Sequence, residues 1–159
     1  MRKSTVIAAA LVLALAVQLP ADAAAKGSFG KKGGYNGVRI HMTLKQAKAT
    51  GKLKTTPFSG QCMHAAFKSK KYRSPVGVLF SRKYGLVAIG APAKARTPRG
   101  IGVGSTIKQV KKAYPRLKIG FSFDQVPVPG HKTVRYGFQV VKGKVTVMWL
   151  MATKQDCAS

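Results

Sequence analysis

The sequence contains no Glu, and its only acids are Asp22, Asp124 and Asp156, against 29 Lys and Arg. Paired-carboxylate chemistry needs one acid to donate a proton while a neighbour stays ionised, so it has almost nothing to draw on. Carboxylate cages for calcium or magnesium are excluded by the same shortage. Cysteine is limited to Cys62 and Cys157. Cys62-Met63-His64 offers a short ligand pair, but no closed zinc-site spacing is present. Histidine is limited to His41, His64 and His131, far apart in the chain, and no Gly-x-Ser-x-Gly turn occurs. A nucleophile, base and orienting group are therefore not supplied by any motif, and the expectation is a protein that is not an enzyme and needs no metal or cofactor. A hydrolytic site around His131 is the remaining catalytic alternative. Gly100-Ile101-Gly102-Val103-Gly104 lacks the Gly-Lys-Ser/Thr of a phosphate loop and brings its third glycine one residue early for a dinucleotide loop, so it reads as a tight turn.

What is present is a folding composition. Of 159 residues, 45% are hydrophobic and 20% charged, which argues for a packed core despite a net charge of +26. Basic Arg2-Lys3, an apolar run from Val6 to Leu19 and small residues through Ala25 form the three zones of a signal peptide over 1–25, cleaved after Ala23 or Ala25. The run is shorter than the roughly 20 residues of a spanning helix, so no transmembrane segment is expected in the mature chain. Export makes Cys62–Cys157 a disulfide. Residues 26–37, rich in Gly and Lys, read as a flexible basic arm.

An internal repeat organises the remainder. The segment from Val38 to Lys48 aligns without gaps on Ile101 to Lys111, with Thr43, Lys45, Gln46 and Lys48 matching Thr106, Lys108, Gln109 and Lys111. Thr followed three residues on by Gln is a capping box at a helix start. Gly51 and Pro115 supply the stops. Hairpins are expected from Val76 to Ile89 and from Tyr136 to Leu150, with Phe80 and Gly85 matching Phe138 and Gly143, and earlier strands from Met63 to Lys68 and Lys118 to Phe123. The expected fold is α+β: two similar modules, 38–92 and 101–159, each a helix packed on an antiparallel sheet, joined by a linker over 93–100 and sharing one sheet. Leu44, Phe80, Ile89, Ile107, Val110, Phe138, Val147 and Trp149 are the expected core.

This arrangement of Met/Ser-Thr-x-x-Gln-Ala/Val before a helix, preceded by Gly-x-Gly in the second copy, then an antiparallel meander, present twice, resembles the tandem modules of the secreted beta-lactamase inhibitor protein family. It is also similar to the small lipoprotein module of the outer-membrane assembly machinery, and the whole-chain pattern is similar to small exported bacterial proteins. The resemblance implies an inhibitor-like fold. The family's acidic inhibitory loop is not carried over, because the matching turns Arg82-Lys83-Tyr84-Gly85 and Lys142-Gly143-Lys144 contain no acid. Its disulfide within each module differs too, since here one cysteine falls in each.

The lysines carry the functional signal. Lys45, Lys48 and Lys52, and Lys108, Lys111 and Lys112, recur at helical spacing, while Lys68, Lys70, Lys71 and Arg73 cluster around Tyr72. Like charges at such spacings repel, and internal counter-charges are nearly absent, which is the arrangement expected if an external polyanion supplies them. The expected function is an exported, non-enzymatic binding protein for anionic polymers or surfaces: envelope polymer, acidic lipid or nucleic acid. The alternative is a protein-interaction or inhibitor module with Tyr84, Tyr136 and Trp149 as aromatic anchors. No small-molecule substrate is expected.

Overall fold

The computed structural model describes residues 29–157. The expected signal peptide over 1–25 lies outside the described residues. Strands β1 (Gly34–Tyr35) and β2 (Val38–Arg39) form a small ribbon, followed by helix α1 (Leu44–Ala49), β3 (Leu53–Thr55), β4 (Cys62–Phe67), β5 (Val78–Ser81) and β6 (Gly85–Gly90). Helix α2 (Ile107–Ala113), β7 (Asp124–Val128), β8 (His131–Val141) and β9 (Lys144–Ala152) complete the chain. Seven strands make one antiparallel sheet in the order β3-β4-β5-β6-β9-β8-β7. No helix among the described residues is long and apolar enough to cross a membrane.

Both capping boxes form. The Gln46 amide donates to the Thr43 hydroxyl at 3.2 Å while the Thr43 amide donates to the Gln46 side chain at 2.9 Å, and Thr106 and Gln109 repeat the exchange at 3.2 and 2.8 Å. Gly51, at φ +68°, ends α1. The helices are short, however, and each buries one side chain, Ala47 or Val110; Leu44 and Ile107 are only half-buried. The molecule is mostly strand, with the helices as appendages rather than a layer.

Cross-strand partners share a face. The pairs Met63↔Phe80↔Leu86 and Ile89↔Leu150↔Tyr136 therefore line one side of the sheet, where Phe67 and Phe138 join them in the core. Expected core residues Val147 and Trp149 are half-buried on the opposite side. The register shift between Gln139 and Val140 is the cause: it reverses the alternation along β9, so that Val145, Met148 and Leu150 take the core positions.

The expected arm over 26–37 is corrected for its described part. Phe29 and Tyr35 are buried. Asn36 and Gly37, at φ +50° and +81°, turn β1 back onto β2, as an Asn-Gly pair favours in a two-residue hairpin turn. Tyr35 packs edge-on against Phe67 at 5.9 Å and Tyr72 at 5.6 Å, and this aromatic burial holds the segment down. The expected strand from Lys118 to Phe123 is likewise replaced. Those residues form a loop, and β7 follows it.

The two helix entries dock alike. The His41 amide donates to Leu86 and the Leu86 amide to Met42, both at 2.8 Å; the Gly104 amide donates to Val145 and the Val145 amide to Ser105, again at 2.8 Å. Each following hairpin carries a register shift in the corresponding place, between Leu79 and Phe80 or between Gln139 and Val140. Cys62 and Cys157 form a disulfide with Cα atoms 5.7 Å apart, fastening the C-terminal segment beneath β5 to β4.

Candidate anion-binding surface

Antiparallel pairing of β3 with β4 gathers one cationic group from separate stretches of sequence. Leu53 lies opposite Phe67, and one step further the Lys68 amide donates to the Lys52 carbonyl at 2.9 Å. The Gly51 amide bonds the Lys48 carbonyl, bringing the end of α1 to the same corner. Arg73 folds back to donate to the Phe67 and Lys68 carbonyls at 3.4 and 3.2 Å. Lys70 and Lys71 lie on the intervening 3-10 turn, with Lys71 5.5 Å from the Tyr72 ring centre. Lys48, Lys52, Lys68, Lys70, Lys71 and Arg73 are all exposed. Lys52 also donates to the Asn36 carbonyl at 2.6 Å, linking this corner to the β1–β2 ribbon. Lys45 is exposed earlier on α1.

The second group is separate. Lys108, Lys111 and Lys112 are exposed on α2. Because β6 and β9 run antiparallel, the two helix entries sit at opposite ends of the sheet, but α1 runs back along it, so the Lys52–Lys68 corner and the α2 entry lie toward the same end, set apart by β5 and β6. Arg99 lies 5.2 Å from the Tyr114 ring centre and donates to the Ala113 carbonyl at the end of α2. With Lys112, Ser105 and Gln109 it lines an open cleft of about 440 Å³.

A third basic site has no counterpart in the sequence expectations. Lys32, Arg39, His41, Gln46, His131 and Thr133 line one shallow cleft of about 420 Å³. His41 and Thr133, 92 positions apart, meet at 3.1 Å between Nε2 and Oγ1, and His41 holds a left-handed φ of +70°, a strained state for a residue with a Cβ. No local motif connects these residues, so only the folded sheet could show them together. No carboxylate lines either cleft. Asp124 is buried, accepting from the Gly120 amide at 3.3 Å. His64 lies apart on β4. A hydrolytic site at His131 thus has no carboxylate among the lining residues to orient an imidazole.

The aromatic anchors do not come together. Tyr136 is a correction: it is fully buried, donating to the Phe29 carbonyl at 3.0 Å, and burial raises its pKa above the ordinary tyrosine value. Tyr84 is half-buried at the β5–β6 turn with Lys83 5.2 Å from its ring centre. Trp149 is half-buried opposite Gly90 and Gly137. Both cysteines are consumed by the disulfide, which removes the thiolates from any Cys62-Met63-His64 metal site. Comparison with known families, with curated proteins and with solved structures finds no match to the chain.

Proposed function

We propose that the protein is an exported, non-enzymatic binding protein for anionic polymers or surfaces. The observation that carries this is the gathering of exposed Lys48, Lys52, Lys68, Lys70, Lys71 and Arg73 at one corner with no acidic side chain among them. The α2 lysines form a second contact region, set apart from the first by β5 and β6. Binding would release counterions from the polyanion and so depend steeply on salt while discriminating little between chemistries.

The two halves are, on this reading, copies of one module adapted to present cations from two separate regions of a shared sheet. The matching capping boxes, docking bonds and register shifts support it. So does the sequence resemblance to the tandem inhibitor modules. Aligned on those shifts, Phe80 corresponds to Val140 rather than Phe138, and Leu86 to Val145.

Retention of the mature chain on immobilised heparin tests the proposal. Elution should advance continuously with salt, and for duplex nucleic acid the logarithmic slope should be about −0.9 per phosphate neutralised. Reversing Lys108, Lys111 and Lys112 to Glu should shift elution to lower salt. Equal retention at low and near-molar salt would overturn it. A stoichiometric, salt-tolerant complex with one protein, weakened more by Tyr84→Ala than by the lysine reversals, would favour the protein-interaction alternative.

A further inference from the structure

The loop between α2 and β7 holds two apolar side chains in water. Ile119 is 65% exposed and Phe121 entirely so, where large apolar residues would ordinarily be covered. The loop is fixed rather than frayed. Lys118 and Gln125 exchange both backbone hydrogen bonds at 2.8 Å, and the buried Asp124 carboxylate holds the Gly120 amide at 3.3 Å. Gly120 is obligatory here, because a Cβ would come within 2.3 Å of the Phe123 carbonyl oxygen. Leu117 and Phe123 are half-buried at the base, while Ile119 and Phe121 form the tip. Exposed Arg116 and Lys118 flank it, and Arg135 lines the cleft beside it.

We propose that this loop is an interfacial anchor for an anionic lipid bilayer. Ile119 and Phe121 enter the boundary between headgroups and acyl chains, while Arg116 and Lys118 remain among the phosphates. Two features select a bilayer. The tip is a projecting pair of side chains, which a fluid interface accepts without a complementary pocket. The charged side chains flanking it are basic, and the nearest acid in sequence, Asp124, is turned inward and engaged, which suits an anionic surface. The inference deepens the polyanion-binding function and rests on it for long-range attraction. It adds a short-range apolar contact that salt does not screen.

Flotation of the mature chain with phosphatidylcholine vesicles, with and without phosphatidylglycerol, tests this alongside heparin retention. The wild type should bind the anionic vesicles and keep part of that binding at high salt. The double variant Phe121→Ser/Ile119→Ser should lose about ten-fold or more in vesicle affinity with unchanged heparin elution and an unchanged melting temperature. Phe121→Trp should shift its emission to the blue on anionic vesicles and be quenched by brominated lipid beyond the contribution of Trp149 in the parent. Unchanged vesicle affinity in the double variant, or no emission shift in Phe121→Trp, would overturn the anchor. Retention on heparin without any vesicle binding would overturn the anchor alone and leave polyanion binding standing; binding to neither would overturn both. A protein complex lost with Phe121→Ser, in the absence of vesicle binding, would overturn it in favour of protein docking.

Discussion

The Tyr136 hydroxyl in the middle of β8 donates to the Phe29 carbonyl at 3.0 Å, joining residues 107 positions apart. Gly30, next to Phe29, sits at φ +91°, and a Cβ there would lie 2.1 Å from that hydroxyl oxygen. The first of the described residues are thus pinned to the core by one buried polar contact and one missing side chain. Tyr136→Phe should cost about 1 to 2 kcal/mol by leaving the Phe29 carbonyl without its donor. Gly30→Ala should cost more, adding left-handed strain to the overlap. Urea unfolding midpoints give both values and their ranking.

Tyr114 should behave oppositely. Its hydroxyl is buried near Thr97 and Tyr136 yet forms no hydrogen bond of ordinary geometry. Tyr114→Phe removes an unsatisfied polar atom and keeps the ring beneath Arg99, so stability should be unchanged or rise by up to about 1 kcal/mol. A lowered melting temperature would show that the hydroxyl is satisfied in solution.

Alkali should unfold the protein through its buried tyrosines. Burial is the main cause raising the pKa of Tyr35, Tyr114 and Tyr136. The unfolded chain releases these protons near pH 10 while the folded chain retains them, so the contribution is complete below pH 10 and declines above it as unfolding becomes coupled to ionisation. The decline is limited to about 1.4 kcal/mol per pH unit for a single tyrosine, and Tyr136, with the most complete burial, should contribute most. Phenolate absorbance should rise together with loss of sheet signal; phenolate appearing while the sheet persists would contradict this.

Charge should trade stability against binding. The first turn of α2 contains no acid, and Lys108 stands beside the positive end of the helix. Lys108→Glu should therefore gain about 0.3 to 1 kcal/mol in low salt while weakening polyanion retention. Thermal melts and heparin elution on the same variant measure the two effects.

Removing Cys62–Cys157 should cost about 4 to 5 kcal/mol, because a crosslink across 95 positions restricts the unfolded chain. The double Cys→Ala variant and the reduced wild type should unfold at similar denaturant concentrations, both well below the oxidised protein.

Much of the local structure was legible in sequence because its causes are local. Thr43 with Gln46 and Thr106 with Gln109 mark helix starts by their own hydrogen bonds. The β5–β6 and β8–β9 hairpins follow from apolar runs around short turns. Asn36-Gly37 was an equally local signal for the β1–β2 turn, obscured by the surrounding Gly and Lys. The number of exposed cations and the scarcity of acids to neutralise them are properties of composition alone.

Tertiary structure decided which side of β9 faces inward, because a register shift in one hairpin reverses an alternation that sequence periodicity assumes to be unbroken. It decided that Tyr136 is an internal tether rather than an outer anchor. Strand pairing set Lys52 beside Lys68, and the docking of the α1 entry on the sheet set His41 beside Thr133, since neighbours across a sheet are fixed by register, and distance along the chain does not encode it.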